Sequence, residues 1–123
     1  MAEIAGRERR DCVALVAVEF PIGARSYKFE GADHGSSISS FVINYAKPGM
    51  GPKLHRHPYE ETFFVLDGEA TFSIDGETIE ARAGNILVAP ANAPHKFVSV
   101  GTEVLRIVSV HPRERMSQED LEQ

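Results

Sequence analysis

Residues 49–68 read GMGPKLHRHPYEETFFVLDG, and the expected fold can be argued from this stretch. His55 and His57 stand two positions apart, so on a β-strand both imidazoles point to the same face. Glu61 follows four residues later with the same parity, although Pro58 can interrupt the strand and loosen that inference. The stretch therefore predicts two imidazoles and a carboxylate directed into one space.

A second stretch, residues 84–99, reads GNILVAPANAPHKFVS and places His95 after a proline-rich turn. Imidazole and carboxylate ligands suit a borderline divalent ion such as iron, manganese, nickel, copper or zinc. With His95 as a fourth ligand, an octahedral ion would keep two positions open for water, dioxygen or a chelating substrate. For His55 and His57 taken alone, however, a metal site and ordinary hydrogen-bonded histidines are equally good interpretations.

The rest of the chain consists of short apolar runs separated by turn residues, which is typical of an all-β sandwich or barrel. Asp75 and Gly76 predict a tight hairpin, because glycine readily supplies the positive φ of a type I′ turn. Ser117 and Asp120 form a capping pattern that predicts a short C-terminal helix, with a frayed tail or a packed turn as alternatives. The predicted strands are 13–20, 37–46, 61–66, 70–74, 77–81, 86–89, 95–100 and 104–110.

The first stretch has a spacing that is specific to one family. Five residues separate Gly49 from His55, one separates His55 from His57, three separate His57 from Glu61, and six separate Glu61 from Gly68. This arrangement resembles the first motif of the cupin family at every position. Cupins are small β-barrels that commonly hold a metal ion.

The second stretch resembles the second cupin motif less closely. Gly84, Pro90 and His95 stand at the family's positions. Asn92 replaces a common glycine, and Ser99 replaces a common asparagine. Asparagine is one of the few other residues that tolerate a left-handed backbone, so we expect the turn to be kept. The replaced asparagine is not a metal ligand in the family, so Ser99 puts local packing in question rather than the metal.

The resemblance also implies a domain layout, a dimer contact and a metal. We expect one domain in which a cupin double-stranded β-helix, or jelly-roll barrel, spans 37–112, with N-terminal strands in 1–36 and a tail over 113–123. The apolar run 13–20 is the candidate strand for pairing in a homodimer. One divalent transition metal per chain (iron, manganese, nickel, zinc or copper) is expected on His55, His57, Glu61 and His95.

Large apolar residues that share the parity of the ligands are candidates for the wall of a substrate pocket. Phe63 and Val65 share the parity of Glu61, and Phe97 shares that of His95. A further same-face set precedes them on the chain and consists of Phe41, Ile43 and Tyr45. Plain core packing is an equally good interpretation of all six.

Composition excludes several classes of partner. The formal net charge is −5 and the basic residues are scattered, so no nucleic acid partner is expected. No apolar run is long enough to cross a bilayer, and the run after the basic N-terminus lacks a signal cleavage site. The single cysteine, Cys12, cannot form an internal disulfide, which favours a reducing, cytoplasmic location. His34 and His111, each alone in its segment, are interpreted as hydrogen-bonded core or surface groups.

Two classes of function are compatible with this pattern. The first is a metalloenzyme acting on a small enolic or phenolic substrate, for which the resemblance implies dioxygenase-like oxidation first and isomerase or polyketide-cyclase chemistry next. Glu61 would then be a candidate base. The second is a non-enzymatic, metal-dependent protein that binds or senses a small molecule. One scaffold hosts many activities, so the fold does not decide between them.

Overall fold

Most of the described chain is extended. The computed structural model describes residues 14–23 and 25–122. Within these residues eleven β-strands are present. They are β1 (Pro21–Gly23), β2 (Ser26–Glu30), β3 (Ser39–Tyr45), β4 (His55–Arg56), β5 (Glu61–Asp67), β6 (Glu69–Ile74), β7 (Glu77–Arg82), β8 (Ile86–Ala89), β9 (His95–Val100), β10 (Leu105–His111) and β11 (Glu119–Asp120).

The strands form two antiparallel sheets. One has the order β1-β2-β3-β10-β5-β8, and the other has the order β11-β4-β9-β6-β7. Several neighbours are distant in sequence, since β10 lies between β3 and β5 and β9 lies between β4 and β6. This exchange of strands between two packed sheets is a jelly-roll arrangement, so the all-β barrel prediction is confirmed.

The core lies between the two sheets and is built from alternating inward side chains. Every second residue of β9 and β10 is buried, as expected for strands with one face on a core. Phe63, Phe72 and Phe97 form an aromatic centre, with ring centroids between 5.0 and 5.9 Å apart. The ring of Phe63 also lies 5.8 Å from that of His95. The aromatic centre therefore packs directly against the histidine end of the barrel.

Two turns with left-handed residues position the strands around the histidines. Asp75 (φ 50°) and Gly76 (φ 84°) join β6 to β7 in the predicted hairpin. Asn92 (φ 66°) adopts the left-handed conformation expected of it. The N–H of Asn92 donates to the carbonyl oxygen of His57 at 2.7 Å. That bond ties the second motif directly to the first.

The strand predicted over 13–20 is wrong for residues 14–20. Ala17–Glu19 form a 3-10 turn, and the N–H of Phe20 bonds back into this turn at 2.9 Å. The backbone therefore closes on itself over 16–20, and contact with β2 begins only at the end of the run, where the N–H of Lys28 donates to the carbonyl oxygen of Phe20 at 3.0 Å. Residues 1–13 lie outside the described part of the chain, and the homodimer stays a prediction.

The predicted C-terminal helix is also wrong. Residues 117–122 contain no helix, and β11 pairs with β4. The N–H of Leu121 donates to the carbonyl oxygen of Leu54 at 2.9 Å, so hydrogen bonds that a helix would make internally go to the barrel instead. Among the described residues, no helix is long and apolar enough to span a membrane.

The tight turn at Gly68 yields a stability prediction. Gly68 has φ 79°, and a Cβ added there would lie 2.6 Å from the carbonyl oxygen of Val104. Gly76 has a similar φ of 84°, but a Cβ there would meet nothing within 4 Å. We expect Gly76→Ala to lower the free energy of unfolding by about 1 kcal/mol, the cost of a left-handed alanine. Gly68→Ala should lower it by about 3 kcal/mol, because steric overlap is added.

Urea denaturation of both variants beside the native protein measures this difference. Equal losses for Gly68→Ala and Gly76→Ala would contradict the close approach of Val104.

Candidate metal centre

The four predicted ligands converge at one end of the barrel. His55 lies on β4 and His57 follows it, Glu61 begins β5, and His95 begins β9. His55 and His95 are directly opposite each other where β4 pairs with β9. All four residues are buried, and their ligand atoms lie within 4.8 Å of one another. Two sheets thus supply one compact set of donors.

Main-chain carbonyls hold all three imidazoles in the same tautomer. Because a carbonyl oxygen only accepts, each Nδ1 must carry the proton and each Nε2 must present a lone pair. A hydrogen bond from the ring nitrogen that does not face the metal is the usual way in which metal-binding histidines are oriented. The bonds run from His55 to Lys53 (2.6 Å), from His57 to Ser117 (2.8 Å) and from His95 to Ala93 (2.9 Å).

The carboxylate of Glu61 faces these lone pairs. Its Oε1 lies 3.0 Å from Nε2 of both His57 and His95. In the tautomer just described, three electron-rich atoms then point toward one another, an arrangement that a cation satisfies. Nε2 of His57 is buried and makes no aligned hydrogen bond within the described chain. The donor set therefore fits a divalent transition metal.

The ionisation states of the site match this fit. Burial alone raises the pKa of Glu61, but in the metal-free site the imidazoles of His111, His57 and His95, when they carry a proton on Nε2, outweigh it and hold that pKa far below its ordinary value. Burial lowers the pKa of His55, which keeps this imidazole neutral. A carboxylate and neutral imidazoles are the forms that bind metal.

His57 is the imidazole at which protons compete with a metal. Burial lowers its pKa, but the Glu61 carboxylate and the Ser117 carbonyl oxygen more than compensate, so the pKa is raised overall. Without a cation beside Glu61, a proton is therefore favoured on Nε2 of His57. Metal and proton are alternatives at this nitrogen.

Two polar residues beside the ligands were missed by sequence reasoning. Nε2 of His111 lies 3.0 Å from Oε2 of Glu61, and Nδ1 of His111 lies 2.7 Å from the hydroxyl of Tyr59. His111 is a buried, hydrogen-bonded group, as interpreted, but its place next to Glu61 was not foreseen. The pairing of β10 with β5 puts Val110 opposite Thr62, which brings His111 level with Glu61. Strand parity without this register could not reveal the contact.

A cavity of about 220 Å³ adjoins His55 and Glu61. Five of the six expected pocket residues line it: Phe41, Ile43, Tyr45, Phe63 and Phe97. Val65, the sixth, does not line the cavity, because it lies one strand repeat beyond Phe63 and two from Glu61, within the core cluster. The cavity wall also includes three residues that the sequence did not indicate: Ile22, Pro52 and Gln118.

The fold and this donor set have counterparts among known proteins. The sequence pattern of the Cupin domain matches residues 41–111, more than half of the chain. The chain belongs to the cupin family. Solved cupin structures agree: an oxalate decarboxylase of Bacillus subtilis aligns with a TM-score of 0.74 over 85% of this chain and 31% of that chain, at 22% identity. Oxalate decarboxylase of Lactobacillus farciminis aligns with a TM-score of 0.71 over 78% and 30%, at 24% identity.

Three curated relatives share part of this cupin. Polyketide synthase CurC of Streptomyces cyaneus is 40% identical over 75 residues, which cover 60% of this cupin and 49% of that protein. Dimethylsulfoniopropionate lyase DddW of Ruegeria pomeroyi is 40% identical over 67 residues, which cover 53% and 43%. Quercetin 2,3-dioxygenase of Bacillus subtilis is 33% identical over 60 residues, which cover 46% and 18%. This cupin spans half or less of each relative's length.

The site predicts a metal content. We expect the purified cupin, loaded with iron, manganese, nickel or zinc, to hold about one equivalent of metal. A His55→Ala, His57→Ala double variant should hold little, because two of four ligands are lost. Elemental analysis of both proteins measures this.

A His34→Ala variant is the control for this experiment. His34 packs against Phe20 and Phe29 and is not part of the ligand cluster, so its loss should leave the metal content unchanged. Equal and negligible metal in the native protein and the double variant would contradict the site.

Proposed function

We propose that this cupin is a metalloenzyme that oxidises a small, metal-chelating organic substrate in a dioxygenase-like reaction. The observation that carries the proposal is the convergence of three Nδ1-protonated imidazoles and one ionised carboxylate beside an apolar cavity. Its relation to quercetin 2,3-dioxygenase supports the reaction class. The Mn(II) centres of oxalate decarboxylase, a protein of the same fold, support a transition metal.

The cavity favours a compact and uncharged substrate. Its wall is mainly aromatic and aliphatic, and no lysine or arginine lies among its described lining residues. A dicarboxylate would therefore lack a cationic partner other than the metal. The volume of about 220 Å³ is below the usual range for drug-sized ligands, so one or two rings are the upper limit. We expect an enol, a phenol or a β-diketone.

The residues around the cavity have distinct roles in such a reaction. A bound divalent ion would supply Lewis acidity and open positions for a chelating oxygen. Phe63 and Phe97 exclude water from the cavity and orient a ring by stacking. Burial raises the pKa of Tyr45, so its hydroxyl stays protonated and can donate a hydrogen bond to a substrate oxygen. Glu61 can accept the proton that an enol or phenol loses only after it moves away from the imidazoles that lower its pKa, because a carboxylate with so low a pKa is a poor base.

Two other functions have a specific observation in their favour. The identity with polyketide synthase CurC supports cyclase or isomerase chemistry on a polyketide-like substrate, which the same cavity would accept. A non-enzymatic binding or sensing protein would also use an apolar cavity beside a metal. Turnover separates the enzymes from the binding protein, and oxygen consumption separates the dioxygenase from the cyclase.

The adjacent carboxylates Glu60 and Glu61 allow a matched test of the base. Glu61 is buried at the site, whereas Glu60 is exposed. With saturating metal and a single-ring phenol or a β-diketone, we expect Glu61→Gln to reduce the rate of oxygen consumption by about 100-fold or more, the usual effect of losing a general base. Glu60→Gln should keep the native rate.

An oxygen electrode and mass spectrometry of the products measure this turnover, and metal content is determined for each variant. Tight substrate binding without turnover in the native protein would favour the binding protein. Equal rates for Glu61→Gln and native protein at equal metal content would remove Glu61 from the role of base.

A further inference from the structure

A buried network of polar groups from outside the two cupin motifs reaches Glu61. His111, at the end of β10, is fully buried, and its Nε2 lies 3.0 Å from Oε2 of Glu61. Its Nδ1 lies 2.7 Å from the hydroxyl of Tyr59, which is also buried. The main-chain N–H of Ser117 donates to the same hydroxyl at 3.3 Å. This network therefore connects the C-terminal segment to the carboxylate of Glu61.

The proton positions follow from the contacts in this network, in which Nε2 of His111 lies 3.0 Å from Oε2 of Glu61 but, like Nε2 of His57, makes no aligned hydrogen bond within the described residues. The Tyr59 hydroxyl accepts from the N–H of Ser117, so its own proton is free to be donated. Nδ1 of His111 is the nearer acceptor, since the carbonyl oxygen of Ser117 lies 3.3 Å away and already accepts from His57. His111 then carries its proton on Nε2, which faces Glu61. The opposite tautomer would set a lone pair against the carboxylate oxygen at a nitrogen that is not part of the ligand cluster, where no bound cation would relieve the repulsion.

The two oxygens of Glu61 consequently face different partners. Oε1 faces the lone pairs of His57 and His95, where a cation belongs. Oε2 faces the N–H of His111. An N–H held this close to Oε2 competes with a metal for that oxygen and leaves Oε1 as the oxygen that is free to bind a cation.

We propose that His111 is a positioning residue that reserves Oε2 of Glu61 and leaves Oε1 as the single carboxylate ligand. The proposal rests on the proposed metal-binding function and adds the way in which Glu61 binds. One carboxylate oxygen in place of two keeps an additional coordination position free for a chelating substrate. Tyr59 and the main chain of Ser117 hold His111 in the required tautomer.

The test compares three variants of the full chain with Co²⁺ as the probe. His111→Leu removes the donor, and His111→Gln keeps an N–H donor near the position of Nε2. Tyr59→Phe removes only the hydroxyl that selects the tautomer. The readouts are the Co²⁺ dissociation constant from chelator competition, the visible absorption spectrum of bound Co²⁺, and the melting temperature of the metal-free protein.

We expect His111→Leu to bind Co²⁺ about 10- to 100-fold more weakly, the usual effect of losing an outer contact to a ligand, and to alter the Co²⁺ spectrum. His111→Gln should recover most of the affinity and the native spectrum. Tyr59→Phe should change both readouts in the same direction as His111→Leu, but less. His34→Leu is the matched control, because it makes the same substitution outside the ligand cluster.

A lower melting temperature of metal-free His111→Leu, with unchanged Co²⁺ affinity and spectrum, would mean a purely structural role and would overturn the proposal while the metal site stands. If His111→Leu does not fold, native affinity and spectrum in Tyr59→Phe overturn it equally. Failure of the native protein to bind Co²⁺ or any of the other metals would refute the metal-binding function, and the role of His111 with it.

Discussion

Burial of one ionised carboxylate is the constraint around which this barrel is arranged. Glu61 is 3% exposed, and an isolated charge at that depth would cost several kcal/mol. Three imidazole nitrogens surround its two oxygens at 3.0 Å. In the metal-free site, protons on the imidazole nitrogens must balance this charge, and in a metal-bound site the cation would do so. Loss of one of these histidines therefore destabilises the fold as well as the proposed metal site.

Strand order explains how these partners come together from distant parts of the sequence. β5 carries Glu61 and lies beside β10, which ends at His111. In the facing sheet, β9 begins with His95 and lies beside β4, which begins with His55. Each sheet therefore places a pair of side chains on adjacent strands at the same end of the barrel. Phe63 and Phe97 fill the space beneath, which keeps water from the side of the site that faces the core.

The sequence predicts the long strands and the ligand set because both depend on local features. Alternation and glycine-marked turns give β5 to β10 to within a residue or so, and the spacing of His55, His57 and Glu61 is specific to the family. What could not be predicted depends on pairing between distant residues. β4 and β11 are two residues each, too short for alternation, and exist only because they pair with one another and with β9. The contact of His111 with Glu61 likewise requires the register of β10 on β5.

The C-terminal segment 117–120 is mostly exposed, but it contacts two of the proposed metal ligands or the strand that carries them. Ser117 accepts from the imidazole of His57, and Glu119–Asp120 pair along the short strand that carries His55. A metal bound by His57 would thus be thermodynamically linked to docking of this segment, and each would strengthen the other by the same factor. Sequence changes in an exposed tail can therefore tune how tightly a cupin retains its metal while every ligand stays the same.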